Sequence, residues 1–258
     1  MDANAFVDDL AAARIGATFN QYADGDRAGL LRGRLVEYLE ARANTSLVLV
    51  GEAAGYRGAR VSGIPFTSER QLTGAGPAEA TATVVNRVLG ELGLADDVLL
   101  WNVVPTHPGT PDSNRAPTAG EVRAGLGFAS TLARGRRVIA VGRVAARALG
   151  ARYVRHPSHG GADAFRLGLV GEVLGAQLGQ RSGRLLEVQP HAVEDPLGLR
   201  ELDVTVVDHL PVVAPRVAKV VVADHLRAGR SCRGQCGLPV VHDEADVAGA
   251  VGRLRATG

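Results

Sequence analysis

A carboxylate, a carboxamide and an imidazole each stand at or just past the end of an apolar run in this chain. Glu52 follows Leu47-Val-Leu-Val50, Asn102 lies near the end of Val98-Leu-Leu-Trp-Asn-Val-Val104, and His156, with Ser158 two residues on, follows Tyr153-Val154. An acid can orient water or stabilise a developing cation, an amide offers a donor and an acceptor together, and an imidazole can donate to an oxygen that gains charge. Taken singly, each has a duller account: Glu52 as the partner of an arginine, Asn102 as a turn residue, His156 as a cap or structural donor. Their shared placing joins them, because in an open α/β sheet ligands bind where loops and helix N-termini converge at the carboxyl ends of the strands.

The elements that must position them are readable from the pattern. Short apolar runs predict buried parallel strands at Leu47–Val50, at Val98–Val104 with Pro105 as its stop, at Val138–Gly142, and briefly at Tyr153–Val154. Helical periodicity lies between them at Arg27–Ala43, Ala78–Leu92 and Thr118–Ala133, and again over Arg143–Leu149. The Thr118 helix opens with a Thr-x-x-Glu capping box. Strands alternating with helices predict a three-layer α/β/α sandwich around a central, largely parallel sheet. That domain is expected over residues 1–170, with residues 171–258 as a C-terminal extension of unassigned structure. In the extension, Gly171–Leu199 is poorly periodic, Leu202–Val207 and Val217–Ala223 have strand-like composition, 230–237 is a turn, and Ala245–Arg255 suits a short helix.

Composition excludes several classes. With 46% hydrophobic and 22% charged residues among 258, the chain is expected to fold. It has no apolar run near the roughly 18 residues that span a bilayer, and its start, MDANAFVDDLAAARIG, is acidic. A cytoplasmic protein with no membrane attachment is expected. Two cysteines, Cys232 and Cys236, make no disulfide framework. With His225 and His242 they suggest zinc, but the second half of the ligand set is not spaced as in a finger, so free thiols and no metal are expected. The net charge of +2 is uneven: residues 134–166 hold eight arginines against the single acid Asp163. Such a stretch attracts a polyanion or is simply a solvated surface.

Three segments carry a likeness to a known family. GEAAGYRGARVSGIPFTSERQL (51–72), NVVPTHPGTPDSNRAPTAGEV (102–122) and HPSHGG (156–161) together resemble the uracil-DNA glycosylase superfamily over roughly residues 45–170. The family-four enzymes are the most similar subgroup, with Gly-Glu-Ala-Pro-Gly, Gly-x-Pro-Phe, Asn-Val-Val and His-Pro-Ser in this order. Departures are clear. Ala54 replaces the proline of the first motif, residues 1–231 contain none of the four cysteines that hold that subgroup's iron–sulfur cluster, and no histidine lies between Gly55 and Phe66 to become covalently attached to DNA.

The resemblance implies roles. Glu52 would orient water at the sugar carbon and stabilise its cationic character, and His156 would donate to the departing base. Asn102 would read the base edge, Phe66 would stack on it, and Gly51 and Ala53 would line its pocket. Ser158, His159 and Gly160, with Arg155 and Arg166, would hold DNA around a flipped nucleotide, the loop continuing to Leu167. Family-one enzymes place a tyrosine at the position of Gly55, and Tyr56 would stand in only by turning inward. Asn114-Arg115-Ala116-Pro117 is expected as a supporting turn and His107 as a partly exposed loop residue. The implied activity is monofunctional hydrolysis of the N-glycosidic bond of uracil, or a related deaminated base, in DNA during base excision. It would act as a monomer without cofactor; Lys219, the only lysine, lies outside the motifs. The alternatives are a non-catalytic nucleic-acid-binding protein on the same fold and a hydrolase of free nucleosides.

Overall fold

The computed structural model describes residues 1–182, 186–194 and 200–208, and side chains through residue 173. The chain divides into two compact units, Met1–Phe165 and Arg166–Gly258, whereas the sequence suggests a boundary near residue 170. Val217–Ala223, the turn holding Cys232 and Cys236, the sole lysine Lys219, and Ala245–Arg255 lie outside the described residues.

The first unit is a four-stranded parallel sheet with helices around it. It opens with α1 (Ala3–Ala12), which the sequence pattern does not announce, and α2 (Ala28–Ala41). Asp2 starts α1, its side chain accepting from the Asn4 and Ala5 backbone N–H groups. Strand β1 (Leu47–Ala53) follows, then two short helices, α3 (Ala59–Ser62) and α4 (Glu69–Thr73), then α5 (Ala80–Glu91) and β2 (Val98–Val104). A two-residue ladder, β3 (Gly109–Thr110) with β4 (Ser113–Asn114), precedes α6 (Ala119–Ala133). Strand β5 (Arg137–Val141), α7 (Arg143–Leu149), β6 (Arg152–Val154) and α8 (Ala162–Ser182) complete the order up to the second unit.

Strand order is β2-β1-β5-β6, all parallel. The chain steps one way from β1 to β2 and the other way from β2 to β5 and on to β6. Right-handed crossovers therefore send α5 to one face and α6 and α7 to the other, and α6 packs on β2 and α7 on β5. This is the three-layer α/β/α arrangement. The step reverses between β1 and β5, where the crossover helices part and leave a crevice at the strand ends.

The core follows from the apolar runs. Val48, Leu49, Val50, Leu99, Trp101, Val103, Ile139 and Ala140 are all buried, and Phe6 of α1 meets Trp101 and Phe128 edge to face, both at 5.6 Å. Strand β2 is an edge, and α2 covers it: the Leu100 N–H donates to the Tyr38 hydroxyl at 2.7 Å, and that hydroxyl donates to Leu100 O at 3.4 Å. The Leu100 edge groups are thereby satisfied. Burial raises the Tyr38 phenol to about 12.

In the second unit the described residues comprise the rest of α8 and an antiparallel pair, β7 (Leu186–Glu194) with β8 (Arg200–Asp208), in register from Leu186–Asp208 to Glu194–Arg200. Two expectations change here. The stretch Ala162–Leu167, read as loop, begins α8, and the poorly periodic Gly171–Leu199 holds the end of that helix and all of β7. Glycines at 168, 171, 175 and 179 lower helix propensity enough to hide the pattern. Pro190 likewise disguises β7, and it is tolerated because a two-stranded ladder has only edges.

Candidate active site

Glu52, Asn102 and His156 line one cavity of about 530 Å³ at the carboxyl end of the sheet. Glu52 is the last residue but one of β1, next to Gly51, whose register partner on β2 is Asn102. His156 comes two residues after β6. Ala53, Phe66, Ser158 and His159 share the lining. Gly51 lies instead in the wall behind it: a Cβ there would collide with the Phe66 ring and come within 2.9 Å of Asn102 Oδ1. Arg155 and Gly160 are outside the lining; Arg155 reaches His159 O at 3.4 Å. Arg166 is on α8 in the second unit.

Each group has a stated environment. Burial raises the Glu52 carboxyl above the usual carboxylate value, and among the described residues no cation pairs with it to offset that desolvation. Asn102 is only 3% exposed, yet among the described residues its carboxamide has no protein hydrogen-bond partner. A buried, unpaired amide that faces a cavity is free to bond to whatever enters. His156 is lowered, first by burial and then by His159 and Arg155. The Ser158 N–H meets its Nδ1 at 3.2 Å, and the Ser158 hydroxyl does so at 2.8 Å. An amide N–H can only donate, so Nδ1 is the acceptor and the proton of the neutral ring sits on Nε2.

The loop after β1 is tied down from two sides. Ala54 N–H donates to Val104 O at 3.2 Å, a bond the family-four proline could not make. Its carbonyl lies 2.8 Å from His107 Nδ1, and His107 Nε2 lies 2.9 Å from Thr110 O. His107 is therefore not a partly exposed loop residue but fully buried, held also by a backbone bridge to Phe19. Phe66 has φ of +52° and His159 also +52°, and both line the cavity. Left-handed backbone in residues with side chains costs on the order of 1–3 kcal/mol and clusters at functional sites. Asn86 of α5 holds Phe66 in place by donating to its carbonyl at 2.6 Å.

The Asn114–Pro117 turn does more than support. Asn114 Oδ1 accepts the Tyr56 N–H at 2.9 Å, Arg115 makes bonds of 2.8 and 2.6 Å to Glu121, and both residues line the cavity. Arg115 holds Glu121, with help from the Thr118 and Ala17 N–H groups, down at about 2. Tyr56 is turned the other way: its ring lies under the Arg57 guanidinium at 5.2 Å, and it is not in the lining. Glu79 packs against Gly55 instead. Sequence reasoning passes over Glu79 and Asn86, since a lone loop acid and a helix Asn carry no spacing signal; Arg143, which the sequence places on a helix where packing or surface solvation explains it as well as a DNA contact, lines the cavity.

A family model described as the uracil DNA glycosylase superfamily matches residues 39–207. The chain belongs to that superfamily. The match continues past residue 170, where the motif resemblance ends, so superfamily character includes α8, β7 and most of β8. Among solved structures, the crystal structure of wild-type SMUG2 from Pedobacter heparinus is similar to this chain, with a TM-score of 0.49 and 11% identity over 70% of this chain and 99% of that one. No curated protein matches the chain in sequence. Superfamily membership makes this a chain of a DNA glycosylase family.

Proposed function

We propose that the protein is a monofunctional DNA glycosylase that hydrolyses the N-glycosidic bond of uracil, or a related deaminated base, leaving an abasic site. One observation carries this reading: an acid and an amide that have no hydrogen-bond or ion-pair partner among the described residues, and an imidazole with its Nε2–H available, line a single cavity. Breaking a base–sugar bond builds positive charge on the sugar and negative charge on the base. Glu52, ionised, stabilises the sugar and orients the attacking water. His156 donates from Nε2 to the base oxygen that gains charge, which a neutral ring does without needing a second proton. Asn102 accepts from an N–H and donates to a carbonyl on the base edge, a pattern that uracil presents and cytosine reverses. Phe66 supplies a stacking face. Since a paired base cannot reach the cavity, the nucleotide is extruded, and Ser158, His159, Gly160, Arg155 and Arg166 are the proposed DNA contacts.

The test is an oligonucleotide with one uracil, incubated with the protein in EDTA and then treated with alkali. Strand cleavage at the uracil is expected, and Glu52→Ala and His156→Ala should each slow base release by roughly 10²-fold or more. Equal rates in parent and both variants would remove the mechanism. Binding with no abasic sites would favour a non-catalytic nucleic-acid-binding protein, and release from free deoxyuridine alone would favour a nucleoside hydrolase.

A further inference from the structure

Glu79 closes one side of the cavity while taking no part in holding it together. It stands immediately before α5, yet its side chain makes no capping bond there, and among the described residues neither carboxyl oxygen has a hydrogen-bond or ion-pair partner. It reaches the cavity because the opposing loop lacks side chains at two positions. A Cβ on Gly55 would collide with Glu79 Oε1, and one on Gly58 with Oε2. The carboxyl thus fills volume that two side chains would otherwise take, and it lines the same cavity as Glu52, Asn102 and Phe66. Burial raises its proton affinity, as happens to a carboxyl that leaves water without gaining a cation.

A wall of this kind selects in two ways. Its volume limits how far a ring can enter. Its unmet hydrogen-bonding capacity favours a base edge that can pair with it and disfavours an apolar substituent, which would leave the carboxyl dry and unpartnered. We propose that Glu79 is a specificity-determining residue of this cavity: its carboxyl, seated on Gly55 and Gly58, decides which ring substituents of an extruded base are admitted. Small or polar edges are accepted and a ring methyl is rejected. The inference rests on the base-excision reading above.

The experiment compares the full chain with its E79A and E79Q forms on single-stranded oligonucleotides that carry one uracil or one thymine. Base release is measured, and so is binding to matched oligonucleotides whose sugar is 2′-fluorinated to block release. E79A should raise the thymine-to-uracil ratio roughly tenfold or more in both measurements, and E79Q, which keeps the volume and the bonding groups, should stay within about threefold of the parent. Thermal melts confirm folding. If E79A does not fold, E79D carries the test, since withdrawing the carboxyl by one methylene should move the ratio in the same direction. An unchanged ratio with uracil still released overturns the role of Glu79 and leaves base excision standing. A ratio that shifts in binding while no form releases a base keeps Glu79 as selector and overturns base excision. Neither release nor binding preference in the parent overturns both.

Discussion

Glu52 is placed where its own charge is disfavoured, and this has opposite consequences for stability and for chemistry. Folding raises its proton affinity, so the protonated carboxyl favours the folded state. That contribution is complete below the ordinary carboxylate pKa and is lost as pH rises through the raised folded value. At pH 7 the ionised group is a burden on stability. Glu52→Gln is therefore expected to melt at a higher temperature than the parent at pH 7, with the gap closing toward acid pH, while base release falls by at least about 10²-fold. A lower melting temperature at pH 7 would contradict the assignment. For base release, an acid limb shifted upward from the usual carboxylate range is expected from Glu52. His156, shifted downward by burial and then by His159 and Arg155, is expected to be neutral at pH 7 and to add no loss on the alkaline side. Ser158→Ala removes a hydroxyl from Nδ1 but leaves the backbone N–H, so a rate loss of about tenfold, well short of that for His156→Ala, is expected. These residues were legible because each stands at or just past the end of an apolar run, where a parallel strand delivers its polar groups to the ligand end of the sheet. Glu79 and Asn86 were not, because what makes them matter is the empty space at Gly55 and Gly58 and a carbonyl at Phe66 turned by positive φ, neither of which leaves a mark on residue type.

The elements themselves are held by a few identifiable side chains. Thr118 and Glu121 form the reciprocal cap expected from the sequence, and Thr118→Ala should lower stability by about 1 kcal/mol in denaturant titration. Glu121→Ala should cost more, since it releases Arg115 and the Ala17 and Thr118 N–H groups together. The lowered Glu121 carboxyl favours the folded state above its unfolded pKa, and that contribution is lost as pH falls toward about 2. Tyr38→Phe leaves the Leu100 N–H without its 2.7 Å acceptor on the edge strand, at a cost of about 1–3 kcal/mol. A change within error would mean that the edge is satisfied some other way. Strands β1, β2, β5 and β6 and helices α2, α5 and α6 lie where the pattern puts them, within a few residues, because burial on both faces of a parallel sheet writes uninterrupted apolar runs. Helix α8 is diluted by glycine, so it does not stand out from its surroundings.

Charge at the scale of the whole chain separates into two uses. Of the arginines between 134 and 166, Arg136 is a tie, donating to the carbonyls of Thr45, Leu132 and Ala43 at 2.9, 2.9 and 2.6 Å. Arg143 lines the cavity with no acidic partner among the described residues. Arg143→Ala is accordingly expected to weaken binding to every single-stranded oligonucleotide alike and to reduce the slope of log affinity against log salt by about 0.7. An unchanged slope would assign Arg143 to packing. The topology has one more consequence. Reversal of the crossover direction between β1 and β5 gathers groups from about one-fifth, two-fifths and three-fifths of the way along the polypeptide, and the last of them to leave the ribosome is the imidazole-bearing segment after β6. The cavity is therefore complete only once synthesis has passed residue 156 and β6 has docked beside β5.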